Sequence, residues 1–331
     1  MDSLKADITK VKESLHPYLE RVERLIDNSL RSEIPLLDSV NRSLRERPGK
    51  MLRPILALLA AGAAGGVGED SVRVAAAAEL LHNATLLHDD VVDDATVRRG
   101  KPTVASILGG RAAVLVGDFW LVKCMQAILS SEEYGDRVLR IFAKTISDLS
   151  EGEMLQLQKA SDGDTTMEDY LRIIYCKTAS LFEATALSAG VSAAAPEDVV
   201  TGLGEFARTI GLAFQIKDDI MDYGLAAPEI GKPVGQDLIE QKITLPLLCA
   251  LDSVSEKEAL EIRRKVVSIQ DNPSLADEIR AFVFAHDGVR AAAAILDSYI
   301  ENAILKLDFL PTSPEKSYLA KLSRYIGERK A

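Results

Sequence analysis

The chain has 331 residues, 47% hydrophobic and 27% charged, with a net charge of −11. It can bury a large core and has no general attraction for nucleic acid. Three cysteines (Cys124, Cys176, Cys249), odd in number, far apart and without CxxC spacing, exclude a disulfide framework and a zinc site and point to a reducing compartment.

The opening MDSLKADITKVKESLHPYLE is polar and amphipathic, with no apolar signal core. No segment approaches the roughly 18 uninterrupted apolar residues of a spanning helix, so the expectation is a soluble, cytoplasmic protein. Helical periodicity dominates, aromatics are only 5%, and alternating β-branched runs are scarce. The pattern predicts helices over 3–30, 33–46, 51–63, 70–93, 103–107, 110–131, 133–158, 166–190, 196–222, 242–253, 255–268, 273–284, 286–307 and 313–328. Turn chemistry separates them at ERPGK before Met51, GGVGED after Ala64, SDGDT after Ala160 and GLAAPEIGKPVGQD after Tyr223. No Pro/Ser-rich linker and no fixed-period repeat divides the chain, so residues 1–331 read as one all-α domain. Helices such as 70–88 and 179–194 are apolar nearly all round, which suits the middle of a bundle. The glycines of AGAAGGVGED (Gly62, Gly65, Gly66, Gly68) follow a helix rather than a strand and lack GxGxxG spacing, so they read as a helix end and loop.

Two acidic clusters stand out. LLHDDVVDDATVRRG places Asp89, Asp90, Asp93 and Asp94 behind an apolar run, followed by Arg98 and Arg99. FQIKDDIMDYG places Asp218, Asp219 and Asp222 near the end of another apolar helix. Both share the pattern D-D-x-x-D, and like charges four residues apart destabilise an isolated helix. One such cluster is more often a solvated helix end. Two of them, facing each other across a bundle, would repel strongly unless cations sat between. Hard oxygen donors of this kind suit Mg²⁺, completed by water and phosphate oxygens; an EF-hand is excluded because its ligands lie on a loop. Basic residues supply the complement: Lys50 and Arg53 at a helix start, Arg98 and Arg99, Lys177 with Thr178 in CKTASLF, Lys232 in the 225–236 loop, and Lys242. Singly each is a surface ion pair; as a set they suggest a receptacle for two diphosphates.

The ordered segments GKMLRP, LLHNATLLHDDVVDDATVRRGKPT, KTASLF, FQIKDDIMD and GKPVGQDLIEQKITLP resemble the trans-isoprenyl diphosphate synthases (polyprenyl synthetases) over nearly the whole chain. The resemblance implies an isoprenoid-synthase bundle of helices around a deep central cavity, usually a homodimer, serving a medium- or long-chain synthase. It implies that Asp89, Asp90 and Asp93 hold two Mg²⁺ ions, and that Asp218, with Asp219 and Asp222 in support, holds a third. Lys50, Arg53, His82 and Arg99 would bind isopentenyl diphosphate. Arg98, Lys177, Gln215, Lys232 and Lys242 would contact the allylic diphosphate, with Thr178 shielding the cation. His88 reads as packing. No Ser/His/Asp or Cys/His arrangement offers a covalent nucleophile, and the implied reaction needs none.

Short-chain members of that family carry an aromatic ring about five positions before the first aspartate motif. Here the positions are Ala84, about 7.5 Å along the axis from Asp89, and Thr85, with Leu81 further back. The expectation is elongation past C20 to C30–C50, with Phe119 or Trp120 as a floor. The competing readings are a farnesyl or geranylgeranyl diphosphate synthase, a class I terpene cyclase, which would lack the second DDxxD and the Lys50/Arg53 site, a non-catalytic partner subunit, which would lose one motif, and a structural Ca²⁺-binding helical protein.

Overall fold

The computed structural model describes residues 2–46, 49–98, 100–225 and 235–329. In chain order come α1 (Asp2–Ser29), α2 (Pro35–Arg45), α3 (Leu52–Ala64) and α4 (Glu69–Val92). A two-residue antiparallel ladder follows, β1 (Val97–Arg98) against β2 (Lys101–Pro102), with Val97 opposite Pro102 and Arg98 opposite Lys101. Next are α5 (Val104–Leu108), α6 (Gly110–Leu129), α7 (Gly135–Asp162), α8 (Met167–Ile174), a π-turn at Tyr175–Ala179, α9 (Ser180–Ser192) and α10 (Glu197–Ile220). A second π-turn at Met221–Leu225 precedes α11 (Gln236–Ile239), α12 (Leu245–Asp252), α13 (Glu256–Val267), α14 (Leu275–Ala285), α15 (Gly288–Leu305) and α16 (Pro314–Glu328). The fold is all-α, as the periodicity predicts.

The chain forms two compact units. The first comprises Met1–Ala143, Ala184–Gly204 and Leu307–Lys321; the second comprises Lys144–Glu183, Glu205–Lys306 and Leu322–Ala331. In the first unit α4 is the central helix, packed on α6, α3, α1 and α5. Its alanine run, Ala75 to Ala78, is fully buried, and small side chains allow such close neighbours. Glu69 and Asp70 in its first turn suit the positive end of the helix dipole. The α4–α6 contact narrows at Gly117, where a Cβ would stand 2.4 Å from His88 Nε2. The same His88 nitrogen lies 3.3 Å from Asp118 Oδ1 and 3.4 Å from the Val114 carbonyl. Trp120 on α6 donates from Nε1 to Asn41 Oδ1 at 2.9 Å, and Asn41 donates to the Leu30 carbonyl at 2.8 Å, tying α6 through α2 to the end of α1.

In the second unit α12 packs on α15, α13 on α14, and α8 on the first π-turn. Two glycines admit that turn. A Cβ at Gly152 on α7 would lie 2.5 Å from Cys176 Cβ, and one at Gly211 on α10 would lie 2.6 Å from Ala179 Cα.

The structure corrects several predicted boundaries. The helix expected over 166–190 is present with a π-turn at Tyr175–Ala179 inside it, so Lys177 and Thr178 lie mid-helix on widened backbone. The helix expected to 222 gives way to a π-turn at Met221, with Gly224 in the left-handed region at φ 85°. The 242–253 helix begins at Leu245, preceded by the single turn of α11. Val97–Arg98 pair antiparallel with Lys101–Pro102 where only a loop was expected.

Candidate active site

The first acidic cluster ends α4 in a tight reversal. Asp93 caps the helix, its N–H donating to the Asp89 carbonyl at 2.8 Å. Asp94 sits in the left-handed region at φ 47°, where Asp is tolerated better than most residues. Its N–H reaches the Val91 carbonyl at 3.4 Å and the Ala95 N–H reaches the Asp90 carbonyl at 3.0 Å, the paired bonds of a Schellman closure. The reversal returns the chain so that Arg98 Nε donates to Asp90 Oδ1 at 2.5 Å. Thr103 fixes the base of the ladder, donating from Oγ1 to the Ala95 carbonyl at 2.7 Å.

Carboxylates at a helix C-terminus face the negative end of the dipole, at a cost of about 0.3–1 kcal/mol each. Asp90 is buried and has Arg98; burial nonetheless raises its carboxyl above the ordinary value, against the hydrogen bond and charge of Arg98. Asp89 is half-buried and Asp93 exposed. Behind them one face of α4 carries a partly open stripe of His82, Thr85, Leu86 and Asp89. Leu81 and Ala84 are turned inward and buried, whereas Thr85 is half-buried with its hydroxyl donating to the His82 carbonyl at 2.8 Å. Lys50, exposed, precedes Met51, a left-handed residue at φ 56°, and Arg53, half-buried, lies in the first turn of α3. Arg99 lies outside the described residues.

The second cluster is organised by a chain of hydrogen bonds. Thr178 Oγ1 donates to Gln215 Oε1 at 2.6 Å; Gln215 Nε2 donates to Asp219 Oδ1 at 2.8 Å; and the Tyr170 hydroxyl donates to Asp219 Oδ2 at 2.7 Å. Burial pushes the Asp219 carboxyl up to about 6, against those two donors and helped by the charges of Asp218 and Asp222. Asp222 accepts from the Gln236 N–H at 3.2 Å and the Asp237 N–H at 3.0 Å, closing the N-terminus of α11. Asp237 is itself raised well above the ordinary value by burial and by the charges of Asp219 and Asp222. Asp218 accepts from Arg329 at 2.7 Å.

A small cleft of about 70 Å³ opens beside these groups, lined by Gln156, Tyr170, Thr244, the lysines Lys159, Lys177 and Lys242, and the carboxyls of Asp219 and Asp237. Lys177 Nζ lies 2.6 Å from Glu153 Oε1, and Lys242 pairs with Glu240. Lys159 bridges Asp164 at 3.0 Å and Asp169 at 3.1 Å. Thus Lys177, Thr178, Gln215, Asp219 and Lys242 share one neighbourhood, while Lys232 lies outside the described residues.

Sequence reasoning missed Tyr170, Asp237 and Arg329. Asp237 stands inside the GKPVGQDLIEQK segment and could have been singled out there; Tyr170 and Arg329 belong to no local pattern. Among the described residues no three His, Cys, Asp or Glu side chains converge on one point. Mg²⁺ is ordinarily held by one or two carboxylates with waters and substrate phosphates, a demand that clusters of this kind can meet.

A family model described as polyprenyl synthetase matches residues 34–282. The octaprenyl diphosphate synthase of Escherichia coli is 35% identical over 323 residues, covering 98% of this chain and 99% of that protein. Heptaprenyl diphosphate synthase component 2 of Bacillus subtilis is 32% identical over 317 residues, covering 96% of this chain and 89% of its own length. The crystal structure of a decaprenyl diphosphate synthase from Rhodobacter capsulatus superposes with a TM-score of 0.89 at 35% identity, covering 98% of this chain and 99% of that one.

Proposed function

The chain belongs to the polyprenyl synthetase family, and we propose that it is a trans-prenyltransferase condensing isopentenyl diphosphate with an allylic diphosphate, of farnesyl or geranylgeranyl type, to an all-trans polyprenyl diphosphate of C30–C50. The observation that carries the reading is the placement of two aspartate clusters at the C-terminal ends of α4 and α10, where the helix dipole opposes them and a bound cation would offset the cost.

The donors fit Mg²⁺: hard carboxylate oxygens, with the Asp219 carboxyl raised to about 6 chiefly by burial and further by the charges of Asp218 and Asp222. Asp89, Asp90 and Asp93 would hold two ions and Asp218, Asp219 and Asp222 a third. Bound Mg²⁺ supplies charge neutralisation for a departing diphosphate. The protein groups do the rest. Lys177, Lys232, Lys242, Arg98 and Gln215 bind the allylic diphosphate, exchanging partners such as Glu153 and Glu240 for phosphate oxygens. Cationic donors aimed at the leaving oxygens favour C–O cleavage. Lys50, Arg53, His82 and Arg99 orient isopentenyl diphosphate so that its double bond attacks the allylic carbon. Thr178 presents its oxygen to the allylic cation, and loss of a proton to the released diphosphate leaves the trans double bond. Leu81, Ala84 and Thr85 set the product length from α4.

Assembly and location belong to the same reading. Among the described helices α6 is long and apolar enough to meet the length and composition of a spanning helix. One face packs in the first unit, and the other exposes Val114, Leu115, Val122 and Leu129. We assign that face to a homodimer of a cytoplasmic enzyme whose lipid product passes to membrane enzymes. The likeness to a protein named as component 2 of its synthase favours a second reading, in which activity needs a different subunit.

The test is a product assay on the purified chain with Mg²⁺, labelled isopentenyl diphosphate and farnesyl diphosphate, with the dephosphorylated products sized by chromatography. A ladder ending between C30 and C50 is expected. A stop at C20 would overturn the chain length, and no Mg²⁺-dependent incorporation with any C5–C20 primer would overturn the reading of the chain as sufficient by itself.

A further inference from the structure

Arg329 follows the last residue of α16, its N–H donating to the Tyr325 carbonyl at 2.9 Å. A cation this near the end of a polar helix would be expected to point into water. Instead its side chain is only 6% exposed and its Cζ lies over the Phe214 ring, 3.8 Å from the centroid. Nη2 donates to the Phe214 carbonyl at 2.9 Å and to Asp218 Oδ1 at 2.7 Å. Phe214 and Asp218 are one turn apart on α10, so a planar guanidinium can stack on the first and reach the second, which a lysine cannot do as fully. The exposures are unequal: the Asp218 side chain is 39% open. The cation is therefore anchored by the ring and the carbonyl, and the carboxylate is the movable partner held in place.

We infer that Arg329 is a positioning residue for the second acidic cluster, holding Asp218 by Oδ1 and turning the carboxylate toward a Mg²⁺–diphosphate complex. The inference rests on the reading of Asp218 as a Mg²⁺ ligand. With Asp219 and Asp222 close by in sequence, an Asp218 without this anchor swings toward water, and each binding event must reorder it. Partners that orient a metal ligand contribute about 10–100-fold in metal affinity.

The experiment is calorimetric titration of Mg²⁺ into the full chain in the presence of inorganic diphosphate, for wild type, Arg329→Met, Arg329→Lys and Asp218→Asn, alongside the Mg²⁺ concentration for half-maximal rate and the KM for farnesyl diphosphate. Arg329→Met should weaken Mg²⁺–diphosphate binding about tenfold, in the range of outer partners, and raise the Mg²⁺ requirement more than the KM. Arg329→Lys should recover part of the loss. If Arg329→Met binds as wild type while Asp218→Asn has lost binding, the positioning role is overturned. If both bind as wild type, the ligand reading of Asp218 fails instead. Should Arg329→Met not fold by circular dichroism, Phe214→Leu, which removes the stack and keeps both charges, must weaken binding in the same direction; an unchanged isotherm overturns the inference.

Discussion

The Tyr170 hydroxyl and the Asp219 carboxylate meet at 2.7 Å across 49 positions of sequence, and both are buried. Burial raises the tyrosine well above its ordinary value, with the Asp219 charge adding to it, so the phenol stays a donor throughout the working range. Tyr170→Phe leaves Asp219 with Gln215 as its remaining donor in that chain. The acid limb of log kcat against pH should move to higher pH, with a stability loss of about 1–3 kcal/mol for the lost bond. An acid limb that stays in place would separate Tyr170 from the ionisation of Asp219.

The position of Asp219 at about 6, against the ordinary 3.8, also fixes the sign of a stability effect. A carboxyl that holds its proton more tightly when folded stabilises the fold fully below about pH 4, and that contribution disappears as pH rises through about 6. At pH 7 the ionised group then costs the metal-free protein on the order of 2–3 kcal/mol. In metal-free buffer Asp219→Asn should match wild-type Tm at pH 4 and exceed it above pH 6. A difference independent of pH would contradict the assignment.

Product length can be probed at two adjacent positions. At about 100° per residue, Thr85 stands about 40° round α4 from Asp89, and Ala84 about 140°. Ala84 is 1% exposed, so Ala84→Phe overpacks the core at about 1–3 kcal/mol. Both Ala84→Phe and Thr85→Phe should shorten the product, with Thr85→Phe doing so at the smaller loss of Tm. Chromatography of the products checks this; full-length product from both would place the tunnel elsewhere.

Gly211 is irreplaceable for a local reason. A Cβ there meets backbone, Ala179 Cα at 2.6 Å, rather than a flexible side-chain end. Gly211→Ala should cost about 1–3 kcal/mol or more as overpacking and lower kcat, because the displaced turn carries Lys177 and Thr178. Because the Cα remains whatever residue stands at 179, Ala179→Gly should restore little of the loss, measured as Tm; a Gly211→Ala variant with wild-type Tm would argue against this contact.

The open face of α6 gives the fifth variant set. Leu115 is 69% exposed and Val122 48%. Leu115→Glu with Val122→Glu should leave the fold intact and halve the mass in sedimentation equilibrium. A wild-type chain that sediments as a monomer would remove the homodimer from the proposed function.

Much of the arrangement could be read from the chain itself. The D-D-x-x-D clusters sit behind apolar helices, and a four-residue spacing of carboxylates is visible in a helical pattern. Asp90, Asp93 and Asp219 all occupy helix-end positions that the spacing implied. The π-turn at Tyr175–Ala179 was not visible, because YCKTA contains ordinary helix formers and the cue lies in Gly152 and Gly211 on other helices. Arg329 and Tyr170 were invisible for the same reason: their partners are 111 and 49 positions away, and no local periodicity encodes a contact of that range. The ladder of Val97–Arg98 with Lys101–Pro102 passed as a loop because two paired residues give too little alternation to detect.

The glycine clamp around Tyr175–Ala179 has a dynamic consequence. With α7 and α10 approaching so closely, the turn has no spare volume in which to breathe. Its amides should exchange with solvent only when the second unit opens as a whole, on the slowest timescale the protein shows. The ladder of Val97–Arg98 with Lys101–Pro102 is the opposite case: it is two residues long, Val97 is 57% exposed, and it is held at its base by Thr103. It should exchange quickly and independently. Of the two segments that carry phosphate-binding candidates, the one bearing Lys177 is a fixed template, and the one bearing Arg98 is a short surface ladder that must exchange its Asp90 bond to adjust to what binds.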